Sequence, residues 1–352
     1  MNKFKFYFIV LIASVVLFSC QKDDPVTIAP PRDYEAQYKA DTTQISNYLD
    51  NHYIETYINN PGKRDDQDVK ISTITDQATQ RSLKSYKDNT GDTYPQLRSR
   101  TVNLHGFVYK VYYLILRQGS KNTTTNKGGE SPVNTDSVFT SYSGSYLKST
   151  TENEVTTISA VFFEESKIPS DFFSLTATVK GWSEIFPQFK TGWYEGNEAN
   201  GTISYHDFGA GVMFLPSGLA YFNNSAGSIP SYSPLVFSFK LYEIARVDSD
   251  NDGIYDYQED LNGDGYMYSY ANKTNYPNFP ADGIRYIDDT DKDGIPDYLD
   301  IDDDGDGYST KVELKKPDGT YYTFESVPSC TNETVKRYLS KECNPKIVTY
   351  TN

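Results

Sequence analysis

The sequence predicts an α+β protein, with an antiparallel sheet wrapped on one short helix, an amino-terminal helical region and a loop-rich acidic extension. Three observations carry that expectation. Between residues 101 and 246, apolar side chains cluster in strand-length runs rich in β-branched and aromatic residues. Helical spacing is confined to a stretch near the amino terminus. Charge is unevenly placed: the 352 residues carry 33 Lys and Arg against 48 Asp and Glu, a net of -15. The segment from Asp248 to Glu313 alone holds 19 acidic and 4 basic residues, so it accounts for the whole imbalance.

Composition narrows the function classes. A net negative chain is a poor ligand for phosphate backbones or anionic lipid, so no nucleic-acid partner is expected and cations are the favoured ones. With only 3 His, chemistry built on histidine ligands or a histidine base has little material, whereas 31 Tyr and 19 Phe supply aromatic surface.

Residues 1–19 read as a signal peptide: Lys3 and Lys5 form a basic start, and the apolar run Phe6 to Phe18 is too short to span a bilayer comfortably. Its end, Leu17-Phe18-Ser19-Cys20, resembles a bacterial lipobox, which implies lipidation of Cys20 and attachment to the membrane. The following Gln21-Lys22-Asp23-Asp24 resembles the export signal of Bacteroidetes-type surface lipoproteins. The expected location is the cell outer membrane, lipid-anchored, with surface exposure; an ordinary secretory signal is the alternative. In such an oxidising compartment Cys330 and Cys343 are candidates for a disulfide, two free thiols being the other reading.

A polar tether (20–33) leads into an amino-terminal helical and loop region (34–100). Tyr34, Tyr38, Ile45, Tyr48, Leu49 and Tyr53 recur at helical spacing, predicting an amphipathic helix over 34–58 that packs on a neighbouring domain. Residues 59–98 are polar and turn-rich and read as loop. Strands are expected from Thr101, in 107–116, 137–142, 155–163, 172–178, 211–215 and 235–244, with one short helix at 183–189.

Within 101–246, three pieces resemble the FKBP-type peptidyl-prolyl cis-trans isomerases. They are Val179-Lys180-Gly181-Trp182, the ordered set Leu215-Pro216, Leu219-Ala220-Tyr221, Ile229-Pro230 and Leu235 to Phe239, and Val138 to Gly144. The resemblance implies an FKBP-like sheet and a pocket with Trp182 as floor and Tyr142, Phe163, Phe173, Ile229 and Phe237 as walls. It further implies that the Val179 N–H binds a substrate carbonyl, that the Tyr221 hydroxyl faces the bound peptide, and that Glu164 stands where the family has Asp. Pro187 inside the short helix, a longer segment at 193–210 and Phe222 in place of a Gly also depart from the family pattern.

The chemistry suits these residue types. Rotation about an X-Pro bond has a barrier of roughly 18–20 kcal/mol because amide resonance must be broken. No proton moves and no cofactor is required; a dry aromatic pocket that favours the twisted, less polar amide lowers the barrier.

The acidic segment (247–314) repeats one pattern, with carboxylates at the first, third and fifth positions, Gly at the sixth and an acid at the twelfth. The first loop offers Asp248, Asp250, Asp252, Asp256 and Glu259, with Ile254 as carbonyl donor. A partial loop offers Asp260, Asn262 and Asp264. The next has Asp289, Asp291, Asp293, Asp297 and Asp300, with Ile295 as carbonyl donor; the last has Asp302, Asp304, Asp306 and Glu313, with Tyr308 as carbonyl donor. Only one residue separates Asp300 from Asp302, leaving no room for EF-hand helices, so the tract resembles thrombospondin type-3 calcium repeats. Structural calcium is the implied cofactor, and without it self-repulsion should keep the segment extended. A tail (315–352) follows. The function expected is an FKBP-type isomerase acting on X-Pro-containing polypeptides, anchored to the membrane through Cys20; the alternatives are a non-catalytic surface-binding module and a structural spacer.

Overall fold

The computed structural model describes residues 30–197, 201–330 and 334–343. Cys20 lies outside them. The chain divides into Met1–Arg32 and one compact unit, Asp33–Asn352.

Asp33 starts the first helix: its carboxylate accepts the Ala36 N–H at 2.8 Å, capping α1 (Tyr34–Asn51). The helix stops seven residues short of the expected end. His52–Tyr57 is strand β1, because His-Tyr-Ile-Glu-Thr-Tyr is β-branched and aromatic and pairs with β2 (Val69–Thr73). Residues 59–98, expected as loop, therefore contain β2, a 3-10 turn at Leu83–Asp88 and the start of β3. Leu83, Leu97 and Ile71 tie them to the core, which the polar composition concealed.

The main sheet is antiparallel and seven-stranded, built from β3 (Gln96–Leu104), β4 (Phe107–Arg117), β5 (Ser137–Glu152), β6 (Val155–Ser166) and β7 (Phe173–Ser174). After helix α2 (Lys180–Ile185) and the hairpin β8 (Trp193–Asn197) and β9 (Thr202–His206), β10 (Gly209–Leu215) and β11 (Leu235–Ala245) complete it. The spatial order is β3-β4-β10-β11-β5-β6, with β7 paired to β5. The strand expected at 172–178 shrinks to two residues, since Leu175 N–H already turns back to the Asp136 carbonyl at 3.0 Å.

Alternation sorts the sheet into two faces. Tyr109, Val111, Tyr113, Ile115, Met213 and Phe237 pack with Trp182, Ile185 and Phe186 of the α2 region. Leu114, Leu116, Val212, Phe214 and Tyr242 pack with Ile45, Tyr48 and Leu49 of α1. The amphipathic helix thus covers the back of the sheet, the neighbour it was expected to find.

The extension carries short helices α3 (Asp282–Arg285) and α4 (Thr310–Glu313) and a small core of Ile254, Leu314, Val327 and Tyr338. Cys330 and Cys343 are joined by a disulfide. Among the described residues no helix is long and apolar enough to cross a membrane.

Candidate functional site

Two sites emerge: an aromatic cage in the sheet and a set of carboxylate clusters in the extension. The cage is centred on Trp182, which is 4 % exposed. Gly181 allows the close approach that seats it: a Cβ there would come within 2.5 Å of the Leu215 side chain on β10. Around the indole stand Tyr142 at 5.1 Å between ring centres, Phe186 at 5.3 Å, Phe237 at 5.4 Å and Phe173 at 5.9 Å, all edge-on. Phe163 meets Phe237 at 5.7 Å. It is brought there by a bulge: Gly144 pairs with Glu164 and Ser145 with Phe162, leaving Phe163 as the extra residue. A side chain at Gly144 would collide with both Phe163 and Phe237. Ile229 and Val179 belong to the same apolar cluster.

Two donors in this cage lack partners. The Trp182 indole N–H is buried and makes no hydrogen bond. Val179, with φ -61° and ψ 140°, caps α2 through its carbonyl, which accepts from Trp182 N–H at 2.9 Å; its own N–H makes no hydrogen bond among the described residues. At the rim, the Tyr142 hydroxyl donates to Glu164 at 3.1 Å, and burial followed by the nearby Glu164 charge pushes the Tyr142 hydroxyl up to about 12. Tyr221 is 37 % exposed, its hydroxyl raised by burial and then by Glu164. All nine residues expected to form the pocket are therefore in one region.

The departures from the family pattern resolve locally. Pro187 falls in the first turn of a 3-10 segment, Phe186–Gln188, where its missing N–H costs no bond. Phe222 adopts a left-handed φ of 48°, the reason a Gly is common there, and is held by stacking on Tyr34 at 3.9 Å and by Tyr232 at 5.2 Å, not by Trp182. The added hairpin places Tyr205 against Tyr242 and Phe139, on the sheet's other face. Asp41 of α1, missed by sequence reasoning, holds the loop before Tyr221: it is fully buried and accepts both the Ser217 N–H and hydroxyl at 2.7 Å.

In the extension, carboxylate oxygens converge within 4.8 Å in three groups: Asp250, Asp252, Glu259 and Asp303; Asp289, Asp291 and Asp293; and Asp302, Asp304 and Asp306. Glu259 and Asp303 are each 1 % exposed, and both oxygens of each lack a hydrogen-bond donor; the same is true of both Glu313 oxygens and of one oxygen each on Asp248, Asp250, Asp252, Asp302, Asp304 and Asp306. Burial, then neighbouring carboxylates, push Glu259 up to about 11, Asp303 to about 10, Glu313 to about 8 and Asp250 to about 7. In the first and last groups, carboxylates that keep buried oxygens without a donor have the chemistry of a site for a hard cation, whereas Asp289, Asp291 and Asp293 accept backbone N–H groups of their own loop.

Not every expected ligand points into a group. Asp256 and Asp297 turn both oxygens to the N–H and hydroxyl of Ser249 and Thr290, at 2.7–2.8 Å, and so close their loops. Asp300 accepts the Asp302 N–H at 3.0 Å. In the partial loop Asp260 accepts from Gly263 and Gly265, Asn262 and Asp264 accept from Asp264 N–H and Tyr266 N–H, and the buried Asp288, not foreseen, joins through Leu261 N–H at 3.0 Å. Ile254 is fully buried, while Ile295 is exposed.

The two sites are connected. Glu184, on α2 two residues from Trp182, is fully buried and contacts Lys180 at 2.7 Å and Arg100 at 3.0 Å. Burial opposes its ionisation, but those two cations hold its carboxyl below the usual range. From the extension, Tyr268 donates to the Glu184 carboxylate at 2.9 Å and Tyr266 to its backbone carbonyl at 2.7 Å. The Arg100 guanidinium lies 3.1 Å over the Tyr266 ring.

The extension matches a known family: residues 249–337 fit the family described as BamM C-terminal. No curated protein matches the chain. Among solved structures, a peptidyl-prolyl cis-trans isomerase of Pseudomonas syringae pv. tomato is similar at 18% identity and a TM-score of 0.30, over 62% of this chain and 98% of that one. FkpA from Escherichia coli is similar at 21% identity and TM-score 0.28, over 46% and 55%. The three FKBP domains of wheat FKBP73 give 12% identity and TM-score 0.26, over 42% and 51%.

Proposed function

We propose that the protein is an FKBP-like peptidyl-prolyl cis-trans isomerase carrying a calcium-binding extension, anchored by lipid on Cys20 to the outer membrane and acting on X-Pro segments of secreted or surface polypeptides. The observation that carries the catalytic reading is the aromatic cage with its two unpartnered donors. Trp182, Phe173, Tyr142 and Phe237 offer an apolar seat for a proline ring. The Val179 and Trp182 N–H groups are available to a flanking carbonyl, and an unmade buried hydrogen bond of this kind costs about 1–3 kcal/mol until a ligand accepts it. Substrate held this way leaves water behind, and the twisted amide is the form such a seat favours.

Calcium fits the extension because Glu259, Asp303 and Glu313 have both carboxylate oxygens without a donor and Asp248, Asp250, Asp252, Asp302, Asp304 and Asp306 have one each. Asp248, Asp250, Asp252 and Glu259 would hold one ion, Asp289, Asp291, Asp293 and Asp300 another, and Asp302, Asp304, Asp306 and Glu313 a third; the ion supplies positive charge and fixes loop geometry. The lipid anchor is supported by the sequence at Leu17 to Cys20, and the match to the BamM C-terminal family accords with an outer-membrane setting.

The test is the rate of cis-trans exchange in a short X-Pro peptide with the unit from Asp33 onward. A rate above the spontaneous one that disappears with Trp182→Ala, in a variant that still folds, supports the isomerase. No acceleration across several residues before proline overturns it. A second reading, a non-catalytic binding module, is favoured by the position of the family match, which lies wholly outside the aromatic cage.

A further inference from the structure

The cluster of Asp250, Asp252 and Glu259 contains a fourth carboxylate that does not belong to its own loop. Asp303 comes from the last repeat, yet one of its oxygens lies within 4.8 Å of an oxygen on each of the other three. The reason is visible in a swap of two residues. In the first and third loops the second position is a hydroxyl residue, Ser249 or Thr290, and the ninth is an aspartate that accepts from it, Asp256 or Asp297. In the last loop the pair is inverted: Asp303 holds the second position and Thr310 the ninth. The closure survives, because the Asp303 backbone N–H donates to the Thr310 hydroxyl at 3.3 Å. The Asp303 carboxylate, which closes nothing in its own loop, is left to point elsewhere.

The first and last loops are also pressed together. Ile254 and Leu314 share one small core with Tyr338, and the Lys311 ammonium donates to the Asn251 carbonyl at 2.7 Å. That packing carries Asp303 into the first loop's cluster, where it and Glu259 are buried with all four oxygens undonated. Two such side chains facing each other across a loop boundary repel when both are ionised, and a cation between them would let both ionise.

We propose that Asp303 is a ligand of the first loop, so that one hard divalent cation of calcium type is held jointly by Asp250, Asp252, Glu259 and Asp303 and staples the two ends of the acidic tract. The inference rests on the cation-binding reading of the extension and adds a ligand and a mechanical role to it. Occupancy of this joint site closes the tract into a ring, whereas the other loops only order themselves.

Calcium titration by calorimetry on the unit from Asp33 onward tests it, with Asp303→Asn, Glu259→Gln and Asp291→Asn run beside the parent. Asp303→Asn keeps size and the backbone hydrogen bond to Thr310, and circular dichroism checks its fold. The expected result is that Asp303→Asn and Glu259→Gln lose the same site, through at least tenfold weaker binding or one ion fewer. In both, calcium no longer slows protease cleavage in the first loop, whereas in Asp291→Asn it still does. If Asp303→Asn titrates like the parent while Glu259→Gln loses a site, the joint site is wrong and the loop reading stands. If the parent binds no calcium, both fall.

Discussion

The sheet domain and the acidic extension bury charge in opposite ways. In the sheet domain the deeply buried carboxylates meet cations or neutral donors: Glu184 has Lys180 and Arg100, Asp66 has Arg117 at 2.9 Å, Asp136 has Arg246 at 2.6 Å, and Asp41 accepts from the Ser217 N–H and hydroxyl. In the extension Glu259, Asp303 and Glu313 are as deeply buried and are set mainly among other acids, with the Arg337 charge acting on Glu313 alone of the three. Burying an unpaired charge costs several kcal/mol. The sheet therefore stands on apolar packing on both faces, while the extension has a small core of four buried residues and, on the proposed cation-binding reading, would draw on positive charge from outside. On that reading, one chain joins a region held by apolar packing to one whose stability depends on a bound cation.

The largest test of this contrast is on the apolar side. Trp182→Ala removes the side chain on which the cage is built and should cost about 3–5 kcal/mol in denaturant unfolding, with X-Pro exchange reduced by about a hundredfold. A loss below 1 kcal/mol would show that Trp182 is not a core element. On the other side, chelation should remove about 2.7 kcal/mol for each site that had been filled at a hundredfold excess over its dissociation constant, read as a calcium-dependent unfolding transition of the extension with the sheet transition little moved.

Asp41→Ala probes the strut between α1 and the Tyr221 loop. It leaves the buried Ser217 N–H without its acceptor and should destabilise by about 2–3 kcal/mol, while raising KM for peptide more than it alters the folded core. Glu184→Gln tests the joint between the regions, with an expected loss of about 1–3 kcal/mol. Because the folded carboxyl titrates below its ordinary value, its contribution is present above about pH 4.5 and is lost as pH falls through the folded value. The parent and variant stability curves should therefore converge in acid; parallel curves would show that the ion pairs contribute nothing. Smallest is Phe222→Gly, where relief of the left-handed strain, about 1 kcal/mol, opposes loss of the Tyr34 stack. A net change within about 1 kcal/mol of zero is expected.

What could be read from the sequence follows the same division. The strands of β4, β5 and β11 were legible as apolar, β-rich runs, and the residues of the cage through the resemblance to the FKBP-type isomerases. Their ends were not: β1 and β2 pair in a polar stretch that hides Ile71 and, in the 3-10 turn beyond it, Leu83, and β7 ends at two residues because Leu175 turns back to Asp136. In the acidic tract the repeat made the clustered carboxylates legible within each loop. Asp303 and Asp288 were missed because each serves a neighbouring loop and sits at a position the pattern ignores, although the inverted Asp303 and Thr310 pair was a signal available in the sequence. Glu184, likewise, is a plain helix residue until Tyr266 and Tyr268 arrive from far along the chain.

Hydrogen exchange read along the chain, with calcium and then with chelator, tests the conditional stability of the extension most directly. The prediction is that amides between Asp248 and Glu313 lose protection on chelation while those of β4, β10 and β11 keep theirs. Equal loss in both regions, or none in either, would contradict the account.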